Sequence, residues 1–196
     1  MSLNTPVASG AELLACRVVY QGWASMLVAT IRDANGAIYD RHAEHHGESV
    51  CVLPYDPERR VALLITQARA PVLINGHPPV LEPIAGRIEG DRPEDCARRE
   101  ALEEGGVALT TLEPVVNLFT LPGVSTERSH LFLAAYSEID RASAGGGLPH
   151  EDEFIEVHEL PLLQLATMAA GGQILDAKVL ILTQTLQLRR PELFRI

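Results

Sequence analysis

The chain has 196 residues and a mass of 21.3 kDa, with 46% hydrophobic and 21% charged residues. These proportions suit one folded domain with a small appendage and exclude wholesale disorder. Sixteen basic against 26 acidic residues leave a formal charge of −10, which disfavours general attraction to nucleic acid or to anionic lipid. No apolar run approaches the roughly 20 residues of a membrane span. The opening MSLNTPVASGAELLAC has no basic start followed by a long apolar core, so it does not read as a secretory signal. Cys16, Cys51 and Cys96 are odd in number and lack CxxC spacing, which argues against a disulfide scaffold or zinc site and predicts a reducing, cytoplasmic setting.

Strand signals dominate the first half. RVVYQG (17–22) and SMLVATIRD (25–33) are β-branched runs, and Asn35-Gly36 marks a hairpin turn into AIYDRHAEHH. Trp23, the sole tryptophan, lies between the first two strands, where a core position is the default. SVCVLPYD (49–56) and RVALLITQAR (60–69) are joined by a short turn at PERR. APVLINGHPPV (70–80) is rich in Pro and Gly and predicts a loop, and VLEPIAGRI (80–88) predicts a strand broken by Pro83. A helix is expected over 93–104, with Asp91 near its N-cap, Pro93 in its first turn and Gly105-Gly106 as its stop. VVNLFTL (115–121) and SHLFLAAYSE (129–138) are strands flanking PGVSTER, and AGGGLPHEDE (144–153) reads as a flexible acidic loop. The strand FIEVHEL and two helices, over 161–170 and 175–189, complete an α+β chain.

Half of the carboxylates fall in two stretches, Glu82 to Glu104 and Glu151 to Glu159. Within the first, Glu100, Glu103 and Glu104 occupy i, i+3 and i+4 of the predicted helix. That spacing brings their Cβ atoms to about 5–6 Å, where like charges repel. Arg99, four residues before Glu103, relieves part of the repulsion, and a divalent cation relieves more. An all-oxygen donor set suits Mg²⁺, with Mn²⁺ next, rather than zinc. The competing reading is a solvated acidic helix face.

The run AGRIEGDRPEDCARREALEEGGV, from Ala85 to Val107, resembles the Nudix box. Arg99, Glu100, Ala101, Glu103, Glu104, Gly106 and Val107 match its second half. The first half departs from the pattern: Gly86 to Arg99 is one residue short, and Arg92 stands where a glutamate is usual. The resemblance covers nearly the whole chain and is nearest to the ADP-ribose and GDP-mannose pyrophosphatase branch, the GDP-mannose type above all. ITQAR (65–69), EPIAG (82–86), LPGVSTE (121–127) and AGGGLPHEDEFIEVHELP (144–161) carry that comparison.

The resemblance implies a Nudix fold, with a mixed β-sheet sandwiched between helices and an N-terminal strand module over 1–48. Residues 49–196 would form the hydrolase domain. It implies metal-dependent hydrolysis of a nucleoside diphosphate-sugar, GDP-mannose or ADP-ribose, to a nucleoside monophosphate and a sugar phosphate. Ala85 would lend a backbone carbonyl to Mg²⁺, and Glu100, Glu104 and Glu153 their carboxylates, with Glu151 as general base. Arg69 would contact substrate phosphate. The branch forms homodimers by exchanging N-terminal strands, which would place one active site across two chains. No nucleic acid or membrane partner is implied.

Each of these residues keeps a plainer alternative. Arg69 is otherwise a strand-end surface arginine, and Glu127 either caps a turn or lines the site. Glu82 either pairs with an arginine or lies near the metals. Glu103 is a third ligand or an acid behind the ligands. Trp23 is core or a stacking surface for the nucleobase. Glu151 and Glu153 are otherwise solubility charges, with Asp152 the residue most easily confused with them. For the chain as a whole, a catalytically silent Nudix-like nucleotide sensor is the alternative to an enzyme, supported by the altered first half of the box.

Overall fold

Strand β1 (Glu12–Gln21), β2 (Ser25–Arg32) and β3 (Ile38–His45) form an antiparallel three-stranded sheet in that order. The computed structural model describes residues 10–148 and 154–195. Its contacts divide the chain into one unit of residues 10–47 with Leu121–Glu127 and a second unit running from Glu48 to Thr120 and on from Arg128. In the first unit the Asn35-Gly36 turn forms as expected: Gly36 takes φ +85°, and the Asp33 carboxylate accepts the Asn35 and Ala37 N–H groups at 2.8 and 2.9 Å. β1 begins five residues before the expected run, because Glu12 already pairs with Arg32 across the ladder, with side chains 2.7 Å apart. Trp23 does not enter a core; it is 77% exposed.

The second unit holds β4 (Ser49–Asp56), β5 (Val61–Thr66) and a short helix α1 (Ala70–Ile74). It continues with β6 (Ile84–Arg87), helix α2 (Pro93–Glu103), β7 (Glu113–Phe119), β8 (Arg128–Ala135) and β9 (Glu156–Pro161). Helices α3 (Leu162–Ala170) and α4 (Ala177–Arg189) follow. The sheet order is β7-β8-β4-β5-β9, with β6 paired to β4. Only the β4–β8 ladder is parallel, so the sheet is mixed.

Alternation along the central strands divides two cores. Cys51, Leu53 and Tyr55 of β4 join Leu64 of β5 and Leu131 and Leu133 of β8 on one face, under Leu165, Leu182 and Leu186 of α3 and α4. Val50, Val52, Leu63, Ile65 and Phe132 point to the other face, under Cys96, Ala97 and Ala101 of α2. Successive side chains on a strand point to opposite faces, so strands apolar at every position must be covered twice. Complete burial of each large aliphatic side chain here contributes about 1.5–3 kcal/mol. The sandwich of helix, mixed sheet and helix is therefore the expected α+β arrangement. No helix among the described residues is long and apolar enough to cross a membrane.

One local expectation needs correction. The Pro- and Gly-rich segment after Arg69 contains helix α1, because Pro71 falls in the first turn, where its missing N–H costs nothing. Arg92 occupies the N-cap of α2, with Asp91 next to it as expected, and makes no side-chain cap bond. Its extended backbone (φ −69°, ψ 144°) is what the following Pro93 demands.

Candidate active site

Glu100 and Glu104, at the end of α2, meet β6. Glu104 is 1% exposed, and its Oε2 accepts the Ala85 N–H at 3.0 Å. Glu100, 8% exposed, lies directly over Gly86: a Cβ there would sit 1.9 Å from Glu100 Oε1. Position 86 is therefore glycine because the Glu100 side chain occupies the space of a side chain there. Arg99 relieves the crowding of negative charge, with Nη2 2.8 Å from Glu100 Oε1 and Nη1 2.9 Å from Glu103 Oε2. Partial burial works against the Arg99 charge, but Glu100 above all, with Cys96 and Glu103 after it, outweighs that and raises its pKa. The thiol of Cys96, one turn earlier, is pushed up to about 11 by burial first and by Glu100 next.

Arg69 and Glu82 meet beside this edge. The guanidinium donates through Nε at 3.0 and 3.1 Å and through Nη2 at 2.9 Å to the Glu82 carboxylate. Glu82 is buried and is bridged to Ile65 of β5, whereas two fifths of the Arg69 side chain is exposed. Of the two readings of Glu82, the pairing with an arginine is what forms.

The C-terminal end of α2 is occupied by the segment after β8. Gly147 and Gly146 donate their N–H groups to the Glu103 and Glu104 carbonyls at 3.1 and 2.9 Å. Arg141 Nη1 donates to the Gly105 carbonyl at 2.9 Å, and Ala142 and Ser143 donate to that of Gly106 at 2.8 and 3.2 Å. Of the loop expected over 144–153, Gly146 and Gly147 are thus anchored to α2, together with residues 141–143 before it, and residues 149–153 lie outside the described residues. Local sequence carried one signal for this, the Gly145-Gly146-Gly147 run, whose φ values are +73°, +115° and +77°.

In the first unit, Trp23 stacks on His46 with ring centroids 5.0 Å apart and planes inclined by 26°. His46 Nδ1 lies 2.6 Å from Glu44 Oε1, and Nε2 lies 3.5 Å from Glu127 Oε1. Ser125 donates to Glu44 Oε2 at 2.6 Å and accepts the Glu127 N–H at 3.0 Å. The adjacent His45-His46 pair reads from the sequence as surface or strand residues rather than zinc ligands, Glu44 carries no signal of its own, and no local pattern links either to Trp23. Glu151, Asp152 and Glu153 lie outside the described residues.

Glu100 and Glu104 present only oxygen donors, and the missing Cβ of Gly86 is what lets the Glu100 carboxylate lie against the strand backbone. No cluster of three or more His, Cys, Asp or Glu placed to hold a metal occurs among the described residues. Two carboxylates still fit Mg²⁺, which keeps most of its water and takes one or two protein carboxylates together with substrate phosphates.

The NUDIX domain model matches residues 45–181. A protein named GDP-mannose pyrophosphatase from Cronobacter sakazakii is 40% identical over 162 residues, covering 82% of this chain and 84% of that one. A protein of the same name from Klebsiella pneumoniae is 35% identical over 193 residues, covering 95% and 93%. Among solved structures, an ADP compounds hydrolase superposes with a TM-score of 0.69 at 16% identity, covering 91% of this chain and 95% of that one; at that identity the likeness concerns the fold alone. The chain belongs to the NUDIX domain family.

Proposed function

We propose that this enzyme hydrolyses the pyrophosphate bond of a nucleoside diphosphate-sugar, GDP-mannose or ADP-ribose, to a nucleoside monophosphate and a sugar phosphate. One observation carries the reading: two carboxylates, both less than a tenth exposed, lie against a strand edge that admits no side chain. In a chain of net charge −10, such a site repels a diphosphate unless a hard cation stands between them. A silent sensor has no use for that repulsion. The name shared by the relatives points to the same substrate class.

In this reading Glu100 and Glu104 hold Mg²⁺, or Mn²⁺ in its place, together with the Ala85 carbonyl and Glu153. Bound cations of this kind neutralise the diphosphate and lower the pKa of water. Glu104 is oriented for its task by the Ala85 N–H. Glu103 holds Arg99 beside Glu100. Arg69, oriented by Glu82, takes a substrate phosphate through the exposed part of its guanidinium. Glu151 accepts the proton of the attacking water, which leaves a hydroxide-like nucleophile for one phosphorus. Trp23, raised into solvent on His46, stacks on the nucleobase, and Glu127 lines the same region. The N-terminal strands pair between two copies in a homodimer, and the free cysteines suit the cytoplasm.

A panel of sugar nucleotides incubated with Mg²⁺ tests the proposal. Release of a nucleoside monophosphate and a sugar 1- or 5-phosphate from GDP-mannose or ADP-ribose is expected, and no cleavage across the panel would overturn it.

A further inference from the structure

Helix α2 carries its charges the wrong way round at its end. The negative pole of a helix lies at its C-terminus, where cations are favoured and carboxylates are not. Yet Glu103 and Glu104 occupy the last turn, and the helix has no basic residue there. The turn bends through Gly106 at φ +66°, with the Gly106 and Val107 N–H groups returning to Leu102 and Ala101. The next carbonyls, of Glu103, Glu104, Gly105 and Gly106, find no donor in the helix itself and are taken one after another by residues 141–147. Among these partners only Arg141 brings a positive charge, and it brings it to the Gly105 carbonyl.

Backbone contact sets the fit. A Cβ on Gly145 would lie 2.3 Å from the Glu104 carbonyl oxygen and 2.9 Å from the Gly106 nitrogen. One on Gly106 would lie 2.4 Å from the Ser143 carbonyl oxygen and 2.6 Å from the Gly145 nitrogen. These obstacles are main-chain atoms, which cannot swing aside as a side chain does. Resting on the hydrolase reading above, we infer that the strap 141–147 is the positioning element of the carboxylate site. Arg141 and Gly145 act through the last turn of α2, holding the Glu104 carboxylate against the Ala85 N–H and Glu100 over Gly86.

The test measures Mn²⁺ affinity by calorimetry on the full chain, alongside kcat and KM. Gly145→Ala and Arg141→Gln should each weaken Mn²⁺ binding at least tenfold and lower kcat, with KM for the nucleotide sugar changed less than threefold. Gly172→Ala is the control: its φ of +69° imposes the same backbone strain, but nothing lies within 4 Å of the added Cβ. It should reduce thermal stability with Mn²⁺ affinity intact. If Gly145→Ala does not fold, Arg141→Gln, which leaves the glycine turn unaltered, carries the comparison. Mn²⁺ affinity within twofold of the wild type in the folded strap variants would overturn the inference, whatever their melting temperatures. A wild type that binds Mn²⁺ but cuts no nucleotide sugar would overturn the hydrolase reading alone, with the affinity comparison still deciding the strap. A wild type that binds no Mn²⁺ would overturn both.

Discussion

Glu104 shows how one side chain serves structure and chemistry together. Its buried carboxylate accepts the Ala85 N–H, a bond that the side-chain oxygen of glutamine can also accept. Glu104→Gln should therefore fold, while losing the charge a cation requires, and kcat should fall by about a hundredfold or more. Gly86→Ala makes a complementary case. The atoms in the way belong to the Glu100 side chain, so the carboxylate is displaced rather than the backbone. A circular-dichroism melt should change little, whereas a displacement on the order of 1 Å is enough to cost about a hundredfold in turnover. Thiol chemistry separates the cysteines: Cys16 is exposed, Cys51 and Cys96 are buried, and the Cys96 thiol is raised to about 11. An aromatic disulfide reagent at pH 8 should titrate one thiol in the native chain and three after denaturation, because the thiolate is the reacting form.

At the level of elements, α2 and α4 divide the work. α2 covers one face of the sheet with small residues, Cys96, Ala97 and Ala101, which keeps its acidic turn close to β6. α4 starts on Asp176, whose carboxylate accepts the Lys178 and Val179 N–H groups at 2.7 and 3.0 Å, and covers the other face with Val179, Leu182 and Leu186. Leu182→Ala should cost about 2–5 kcal/mol in urea unfolding, since the side chain is completely buried. Thr183 on the same helix is also completely buried, and its hydroxyl has no hydrogen-bond partner among the described residues. Thr183→Val removes that unmet donor while keeping the shape, and should stabilise the chain by about 1 kcal/mol in the same measurement.

Across the whole molecule, ionic contacts bind distant parts of the second unit. Arg59 pairs with Glu159, 100 positions later, and the Tyr136 hydroxyl donates to the same carboxylate at 2.9 Å. Partial burial would raise the Glu159 pKa, but the hydrogen bonds from Arg59 and Tyr136 outweigh it and hold the carboxyl below its ordinary 4.5. A pKa lowered by folding contributes stability that is complete above the unfolded value and is lost as the pH falls through the folded one. Glu159→Gln should thus melt below the wild type at neutral pH, and the gap should close as the pH drops below 4.5.

Periodicity made the sheet, the Asn35-Gly36 turn, the acidic helix and its glycine stop legible in the residues alone, since each depends on neighbours a few positions apart. The side-chain order Gly86, Arg99, Glu100, Glu103, Glu104 likewise disclosed a cluster of carboxylates. Tertiary structure decided the rest: that Arg69 turns to Glu82, that Trp23 rests exposed on His46, and that residues 141–147 close the end of α2. The physical reason is that the last of these runs mostly through main-chain N–H and C=O groups, which every residue but proline possesses. A contact that any residue can make leaves no mark in the order of side chains, and only the path of the folded chain brings its two halves together.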